Sequence, residues 1–368
     1  MVIESYAVHA QGISHAEAGK PCQDAYAIRD CGSGITVAAI ADGLGSCAQS
    51  QKSSRKAVDS ICDFIVDELP TDPSPQVLSA IMIAGMNHAF KDVLRMLSEE
   101  SIELKDAQTT LSAVIFHKEG VVFGHAGDGV VIGLEEDGTY SVICEPYKGD
   151  LPNSTFPFTK GWKSWHAGTV DRPFASVLLA TDGVGDVIYP PFLRPDHEII
   201  VKHAAFFMHP SRLGLKKGET LDEQSSKELS ESTLSAIRNP QNKTWSSVTD
   251  DLTAAILIDP DADPPVIEDN QTEEYLRGKF EVFYDIAPGN ASDGVSDAGA
   301  CDKTASTSEG TSDNRQKTGA PKPATVRFRI EFWKRKWEEI IHPTKKTKEC
   351  SDDNASGADD MNSGKVVE

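Results

Sequence analysis

Short apolar runs in this chain repeatedly end or begin at an aspartate. The residues concerned are Asp42, Asp128, Asp182 and Asp250, of which the first three are followed by glycine. An aspartate at the end of a buried strand starts from a rigid backbone and has little conformational freedom to lose. If the strand ends converge, several carboxylates crowd one cleft and strongly disfavour their joint ionisation. Bound divalent cations would relieve that repulsion.

A site built from carboxylates, backbone carbonyls and water suits magnesium or manganese and not zinc. The histidines show no spacing typical of a zinc site, and none is adjacent to an Asp-Gly step. Gly43 follows Asp42 and has no Cβ, so its own carbonyl group can face a metal. The pattern therefore predicts an all-oxygen site for a hard divalent cation.

A turn is the alternative interpretation of each Asp-Gly step. Asp-Gly after a strand is a strong hairpin signal, because glycine accepts a positive φ and aspartate caps its own turn. For any one step taken alone the turn is the favoured interpretation, and Asp137-Gly138 is assigned to it entirely. The metal-site hypothesis rests on the set of acids taken together.

The overall composition bounds the class of protein. The chain has 368 residues, is 39% hydrophobic and carries a formal net charge of -21, which disfavours nucleic acid or an anionic membrane as the main partner. No apolar run approaches the roughly 18 residues of a membrane span, and the N-terminus lacks the pattern of a secretory signal. The 7 cysteines include no CxxC pair. We therefore expect a reduced, cytoplasmic protein.

The hydrophobic pattern predicts an α+β fold. Predicted strands are Val2–Val8, Ile35–Ala41, Val177–Ala180 and Leu252–Ile258, with others in TTLSAVIF, GVVFGHA, GVVIGL and EEDGTYSVI. Predicted helices are Gln49–Glu68, Val77–Leu97 and Asp222–Ile237. This order lacks a regular strand-helix alternation, so it favours layers with antiparallel sheets.

Six motifs also resemble a known family. They are GISHAEAGKPCQDAYAI, AIADGLGS, AQTTLSAVIF, HAGDGVVIGL, LLATDGVGD and DDLTAAILI. They occur in the order seen in metal-dependent protein phosphatases of the 2C type, and the resemblance covers about Tyr6 to Ile258. The SHxxxGxPCQDA opening and NSTFPFT, residues 153–159, look most like the bacterial branch. Each motif alone is weak, whereas six in order are specific.

The resemblance implies a four-layer αββα sandwich, in which two central antiparallel sheets are flanked by helices and the metals lie at one end. It implies that Asp42 bridges two metals and that the Gly43 carbonyl binds one of them. Asp182 and Asp250 would complete the first metal's shell, and Asp24 would act in the outer shell through a water. Asp128, together with Asp182 and Asp186, resembles the acids that hold a weaker third metal in some members.

The activity implied is that of a serine/threonine phosphoprotein phosphatase with two or three Mg²⁺ or Mn²⁺ ions, in bacterial signalling. Two cations about 3.5–4 Å apart lower the pKa of the water between them, and the resulting hydroxide attacks the phosphomonoester. Asp42, Asp182 and Asp250 would act through that activated water, and no protein nucleophile is required. The expected partners are phosphoserine and phosphothreonine proteins, and a cognate kinase would oppose the enzyme.

Two departures from the family pattern concern substrate binding. Many members have a phosphate-binding arginine where this chain has Gly19. Lys20 and His15 are nearby candidates for that contact, although a solvated lysine and a turn histidine explain them equally well. Gln23 stands where many members have glutamate, and no residue matches the proposed general acid.

Two other functions stay open at this point. A weak or inactive family member could bind phosphorylated partners as a regulator, which the absent arginine favours and the intact acids disfavour. A carboxylate-metal hydrolase acting on nucleic acid or small phosphoesters is disfavoured by the net charge of -21. Residues between Asp186 and Asp250, among them Tyr189, Phe192, Phe206 and Phe207, form either packing or a substrate-selecting flap.

Composition divides the chain into four parts. Residues 1–262 form the predicted catalytic domain, residues 263–325 a mostly disordered linker, residues 326–341 an amphipathic basic and aromatic helix, and residues 342–368 a disordered tail. For the helix, docking on its own domain through Trp333 and Trp337 ranks first, a partner groove second and a membrane surface third.

Overall fold

Two five-stranded antiparallel sheets lie at the centre of the structure, a computed structural model that describes residues 3–147, 155–267 and 270–284. The strands are β1 (Glu4–Ala10), β2 (Ala25–Asp30), β3 (Ile35–Ala41), β4 (Leu111–His117), β5 (Gly120–Ala126), β6 (Val130–Glu135), β7 (Tyr140–Cys144), β8 (His166–Val170), β9 (Phe174–Ala180) and β10 (Leu252–Ile258). The first sheet has the order β1-β10-β9-β6-β7, and the second has the order β2-β3-β4-β5-β8.

Helices cover the outer faces of both sheets. They are α1 (Ile13–Glu17), α2 (Ser50–Glu68), α3 (Pro75–Glu99), α4 (Asp182–Ile188), α5 (Val201–Met208), α6 (Glu223–Ile237), α7 (Lys243–Ser246) and α8 (Glu273–Phe283). α2 and α3 pack together on the second sheet, whereas α4, α5 and α6 contact strands of the first. The predicted four-layer αββα sandwich is therefore confirmed.

Burial on both faces explains why the central strands are apolar throughout. In β3, Val37 and Ala39 belong to the core shared with α2 and α3, whereas Ala38 and Ile40 belong to the core between the two sheets. β10 alternates in the same way, since neighbouring residues serve the inter-sheet core and the core beneath α5. Side chains alternate between the faces of a strand, so a strand with two covered faces needs an apolar residue at every position.

α3 is long and apolar enough to cross a membrane by length and composition alone, within the part of the chain that the structure describes. Its apolar face is however used inside the fold, where Leu78, Met82, Met86 and Val93 are buried in the core shared with α2 and the second sheet. α3 is a core helix of the sandwich.

The three helices predicted within residues 1–262 and all the predicted strands are present, and the Asp137-Gly138 turn joins β6 to β7 with Gly138 at φ 88°. β2 and β8 were not predicted. β2 is short and partly exposed, and β8 is an edge strand without a large buried residue, so neither carries a strong apolar pattern. The helix of residues 326–341 and the tail lie outside the described residues.

α8 is an ordered helix within the span, residues 263–325, that we predicted to be mostly linker. Thr272 caps it by accepting a hydrogen bond from the Tyr275 backbone N–H at 3.1 Å. Its apolar face forms a small separate core with the segment between α4 and α5. The members of this core are Phe192, Leu193, Ile200, Leu276, Phe280 and Tyr284. The helix thus extends the folded unit to residue 284.

Phe280→Ala tests whether α8 holds the segment between α4 and α5. The Phe280 ring meets the Phe192 ring edge-on, with centroids 5.6 Å apart, so truncation opens a cavity between helix and segment. We expect a loss of about 3–5 kcal/mol in docking free energy. Hydrogen exchange measured by mass spectrometry should show faster exchange in both α8 and residues 190–200.

Val282→Ala on the same helix is the matched control, because Val282 is 83% exposed. It should leave exchange in residues 190–200 unchanged. Equal effects of the two substitutions would contradict a specific docking role for the buried face.

Candidate metal centre

Strand register brings the predicted acids to one end of the sandwich. In the second sheet, Ala41 at the end of β3 pairs with Ala25 at the start of β2. In the first sheet, Ala180 at the end of β9 pairs with the beginnings of both β6 and β10. The residues that directly follow or precede these strand ends therefore lie at the same end of the sandwich. The aspartates there are Asp24, Asp42, Asp128, Asp182 and Asp250, called the acid cluster below.

Asp42 is anchored through its backbone. Its N–H donates to the Thr110 hydroxyl at 2.8 Å, and its carbonyl accepts from the Thr110 N–H at 2.8 Å and the Thr109 hydroxyl at 2.9 Å. The next N–H, of Gly43, donates to the Gln23 carbonyl at 3.1 Å. Because the Asp42 backbone is held from both sides, the position from which its side chain extends is fixed, and this favours precise placement of the carboxylate.

Asp24 links the two sheets. It stands directly before β2 of the second sheet, yet its Oδ2 accepts a hydrogen bond of 2.8 Å from the Thr181 hydroxyl at the end of β9. Thr181 is itself joined to β10, because its N–H donates to the Thr253 carbonyl at 3.0 Å. Asp24 is only 5% exposed, so this contact lies inside the sandwich end.

The electrostatics show that these acids act on one another. Burial raises the pKa of Asp24 to about 7; hydrogen bonds from Thr253 and Thr181 oppose the rise, and Asp251 and Asp250 add to it. Burial also raises the pKa of Asp42 well above its ordinary value. The other acids that raise it are Asp24, Asp182, Asp128 and Asp250. Carboxylates from five separate parts of the chain thus repel one another in one place.

The three Asp-Gly steps of the cluster are not hairpins. Asp42 leads from β3 toward α2, Asp128 joins a strand of one sheet to a strand of the other, and Asp182 begins α4. Glycine after Asp182 is required by close packing, since a Cβ on Gly183 would lie 2.0 Å from the Asp251 carbonyl oxygen. The turn interpretation holds for Asp137 and fails for these steps.

The donor chemistry of the cluster fits a hard divalent cation. Its side-chain donors are carboxylate oxygens whose mutual repulsion a cation would offset, and backbone carbonyls such as that of Gly43 are adjacent. Within residues 3–147, 155–267 and 270–284, no group of three or more histidine, cysteine, aspartate or glutamate side chains is already gathered tightly enough to hold a metal. The carboxylates of the acid cluster are nevertheless close enough to raise the pKa of Asp42.

Asp251, which we did not predict as a site residue, is the most firmly bound acid of this end. It is 3% exposed and accepts hydrogen bonds of 2.6 Å from the N–H groups of Gly12 and Gln23. The adjacent Asp250, which we did predict as a metal ligand, is exposed and accepts a hydrogen bond from the Asp251 N–H at 2.9 Å. The adjacent acids therefore divide their roles: Asp251 ties the N-terminal loop to β10, and Asp250 faces outward.

The two predicted phosphate contacts are engaged within the protein. His15 Nδ1 lies 2.8 Å from Asp251 Oδ2, so this ring edge faces the buried acid. Lys20 is exposed. Its Nζ donates to the carbonyl of Gly45, in the loop that follows Gly43, at 2.9 Å. Lys20 thus contacts the loop that follows Gly43, whereas His15 contacts the buried Asp251. The sequence offered no signal for the His15 contact, since its partner is 236 residues away.

The predicted third-metal acids lie in two settings. Asp128 contributes to the raised pKa of Asp42 and is part of the cluster. Asp186, one helical turn after Asp182, accepts a hydrogen bond of 2.5 Å from Arg194 Nη2. An arginine therefore already neutralises one of the predicted ligands.

The family profile of Protein phosphatase 2C matches residues 11–212, which is more than half of the 368-residue chain. This chain belongs to the protein phosphatase 2C family. The predicted family is confirmed, and the match includes Asp24, Asp42, Asp128, Asp182 and Asp186. Asp250 and α8 of this phosphatase 2C protein lie beyond the matched residues.

Solved structures of bacterial phosphatases are similar to this phosphatase 2C chain. Serine/threonine phosphatase PstP/Ppp of Mycobacterium tuberculosis is 15% identical with a TM-score of 0.47, and the alignment covers 70% of this chain and 99% of that one. Stp1 of Staphylococcus aureus is 14% identical with a TM-score of 0.48, covering 70% and 96%. The PstP catalytic domain in complex with 2 manganese ions is 18% identical with a TM-score of 0.43, covering 70% and 99%. A comparison with curated proteins gave no match.

Asp24→Asn should change how stability depends on pH in metal-free protein. Because the pKa of Asp24 is raised from 3.8 to about 7, the folded state keeps a proton that the unfolded chain releases in this range. Stability therefore falls as the pH rises from about 4 to about 7. Urea unfolding in the presence of a chelator should show this fall in wild type and a shallower one in Asp24→Asn.

Asp137→Asn provides the control for that pH series. The pKa of this hairpin aspartate is lowered by hydrogen bonds from Thr139, so its titration lies below the range measured. Its profile should run parallel to that of wild type. A profile for Asp24→Asn that also runs parallel would contradict the raised pKa.

Asp251→Ala should destabilise the fold more than Asp251→Asn does. The alanine leaves two buried N–H groups, of Gly12 and Gln23, without their acceptor, at about 1–3 kcal/mol each. Asparagine keeps one acceptor oxygen. The free energy of unfolding in urea measures both, and equal losses would show that the hydrogen bonds contribute little.

Proposed function

We propose that this member of the protein phosphatase 2C family is a serine/threonine phosphoprotein phosphatase that depends on Mg²⁺ or Mn²⁺. The observation that carries the proposal is the acid cluster, in which burial and neighbouring carboxylates raise the pKa of Asp42. A fold gains no stability from such repulsion. A cluster of mutually repelling carboxylates at the end of a well-packed sandwich is what a site for divalent cations requires.

The residues that would hold the cations are those predicted from the family pattern. Asp42 would serve two ions, and the Gly43 carbonyl would bind one of them. Asp182 and Asp250 would complete the shell of the first ion, and Asp24 would act in the outer shell. Bound divalent cations would supply an acidified water as the nucleophile and would offset the charge of the phosphoryl group. The chain's own contribution is to hold these oxygens in place, through Thr109 and Thr110 at Asp42 and Thr181 at Asp24.

A cysteine nucleophile is disfavoured near the cluster. Cys22 is the nearest along the chain, two residues before Asp24. Burial raises the pKa of its thiol, and the charges of Asp24 and Asp251 raise it further. The reactive form of cysteine is the thiolate, so this thiol is a poor nucleophile. Hydrolysis by water is therefore the chemistry that the surroundings support.

Lys20 is the better of the two candidates for contact with the substrate phosphate. It is exposed and already reaches the loop after Gly43, so a small side-chain movement would bring its ammonium group to a bound anion. Gly19, at the position of the family's arginine, has no side chain and a φ of 64°. His15 faces Asp251, and we assign it to positioning the N-terminal loop.

Phosphoserine and phosphothreonine proteins are proposed as substrates from the family, and a cytoplasmic location is proposed from the composition. Within the chain, residues 1–262 are proposed as the catalytic domain, to which α8 adds a docked helix. Residues 326–341 are proposed to dock on that domain or on a partner.

The test is release of phosphate from a phosphothreonine peptide by the full chain. We expect release with Mn²⁺ or Mg²⁺ and none with a chelator. Asp42→Asn should lower the rate by at least about 100-fold because it removes the bridging carboxylate. Asp137→Asn, an aspartate of a remote hairpin, should keep the wild-type rate.

Other outcomes decide among the alternatives. Equal rates for wild type and Asp42→Asn would refute the role of Asp42. Tight binding of the phosphopeptide with no release, under any metal condition, would favour the regulator. Hydrolysis of small phosphoesters or nucleic acid without release from the peptide would favour the other hydrolase.

A further inference from the structure

An arginine faces one of the acids predicted to bind a third cation. Arg194 Nη2 donates to Asp186 Oδ1 at 2.5 Å, and the side chains are only 16% and 14% exposed. Asp186 follows Asp182 by four residues on α4, so the two carboxylates lie on the same face of the helix. The guanidinium group therefore sits at the margin of the acid cluster.

The arginine is held on both sides. Its Nε donates to the Tyr189 carbonyl at 3.2 Å, and the guanidinium carbon lies 5.7 Å from the centre of the Tyr189 ring. The Tyr189 hydroxyl in turn donates to the Arg194 carbonyl at 3.4 Å. These contacts fix the direction of the side chain toward Asp186.

α8 fixes the turn that carries Arg194. Lys279 Nζ donates to Asp196 at 2.9 Å and to Glu198 at 3.1 Å, and the Tyr275 hydroxyl donates to Glu198. Beneath these polar contacts, α8 packs on Leu193, the residue directly before Arg194. An element outside the matched family region thus packs on the turn that carries the guanidinium.

A guanidinium at this position has a direct electrostatic effect. It stays charged at every pH that a protein survives, and it satisfies Asp186 with a charge-assisted hydrogen bond. A divalent cation at Asp186 would compete with the guanidinium for the carboxylate and would be repelled by the positive charge beside it. The residues of the predicted third site therefore do not suit a third ion.

From this geometry we propose that Arg194 takes the place of the third cation, so that the protein binds two divalent ions and no third. The inference rests on the proposed function, since it concerns how the same acid cluster is neutralised. It assigns Arg194 as a positioning residue, which acts through Asp186.

Counting bound manganese tests the proposal. The full chain is equilibrated with Mn²⁺, and bound ions are counted by calorimetric titration and by metal analysis after dialysis. We expect two per chain in wild type and in Arg194→Lys, which keeps the charge. Arg194→Met, which removes it, should gain one further, weaker ion. Asp186→Asn should stay at two, because Asp186 binds no ion in wild type.

Arg95→Met is the matched control. Arg95 pairs with Asp92 on α3, whose side chain is also largely buried and also contacts Lys56 and His88. This substitution therefore removes an arginine from an aspartate away from the cluster. The count should stay at two. Circular dichroism and thermal unfolding establish that each variant is folded, and if Arg194→Met does not fold, the wild-type and Asp186→Asn counts decide.

Three results would overturn the inference. They are three ions in wild type, loss of an ion in Asp186→Asn, or no gain in a folded Arg194→Met. A count of three with metal-dependent phosphatase activity leaves the proposed function intact. A count of zero in wild type overturns the proposed function as well, so the two failures are distinguishable.

Discussion

Repulsion among carboxylates at one end of the sandwich is the constraint on which the rest of the site depends. Burial and neighbouring acids raise the pKa of both Asp24 and Asp42, so their ionised forms carry a cost in the folded state. Hydrogen bonds between the Asp42 backbone and the hydroxyls of Thr109 and Thr110 hold Asp42 where it is, and the Thr181 hydroxyl holds Asp24. The stability that offsets the cost comes from three apolar layers in the sandwich.

The central strands could be predicted because burial on both faces leaves an apolar residue at every position, as in Ile35–Ala41. The meeting of their ends could not be predicted from periodicity, because it depends on the register that pairs Ala41 with Ala25 and Ala180 with Ala254. The prediction that these strand ends meet came instead from the order of the family motifs. β2 and β8 escaped prediction because edge strands need few buried side chains.

Within the site, contacts between residues far apart in the chain were the ones that the sequence did not reveal. Asp251 binds the N–H groups of Gly12 and Gln23, and an acid next to a predicted ligand gives no sign of such a role. The ion pair of Asp186 with Arg194 depends on a turn held by α8, a helix that we predicted as mostly linker. Apolar patterning reports which face of an element is covered, whereas it says little about which polar groups will meet.

The hydrogen bond from Thr181 to Asp24 joins one sheet to the other at the end of the sandwich that carries the acids. Sliding of one sheet over its neighbour would stretch this bond and would move acids of the two sheets relative to each other. Ions held by acids of both sheets would therefore also act as a clamp between the layers. Metal occupancy and the rigidity of the sandwich would then be coupled, so that anything that loosens the layers would also weaken the binding of the ions.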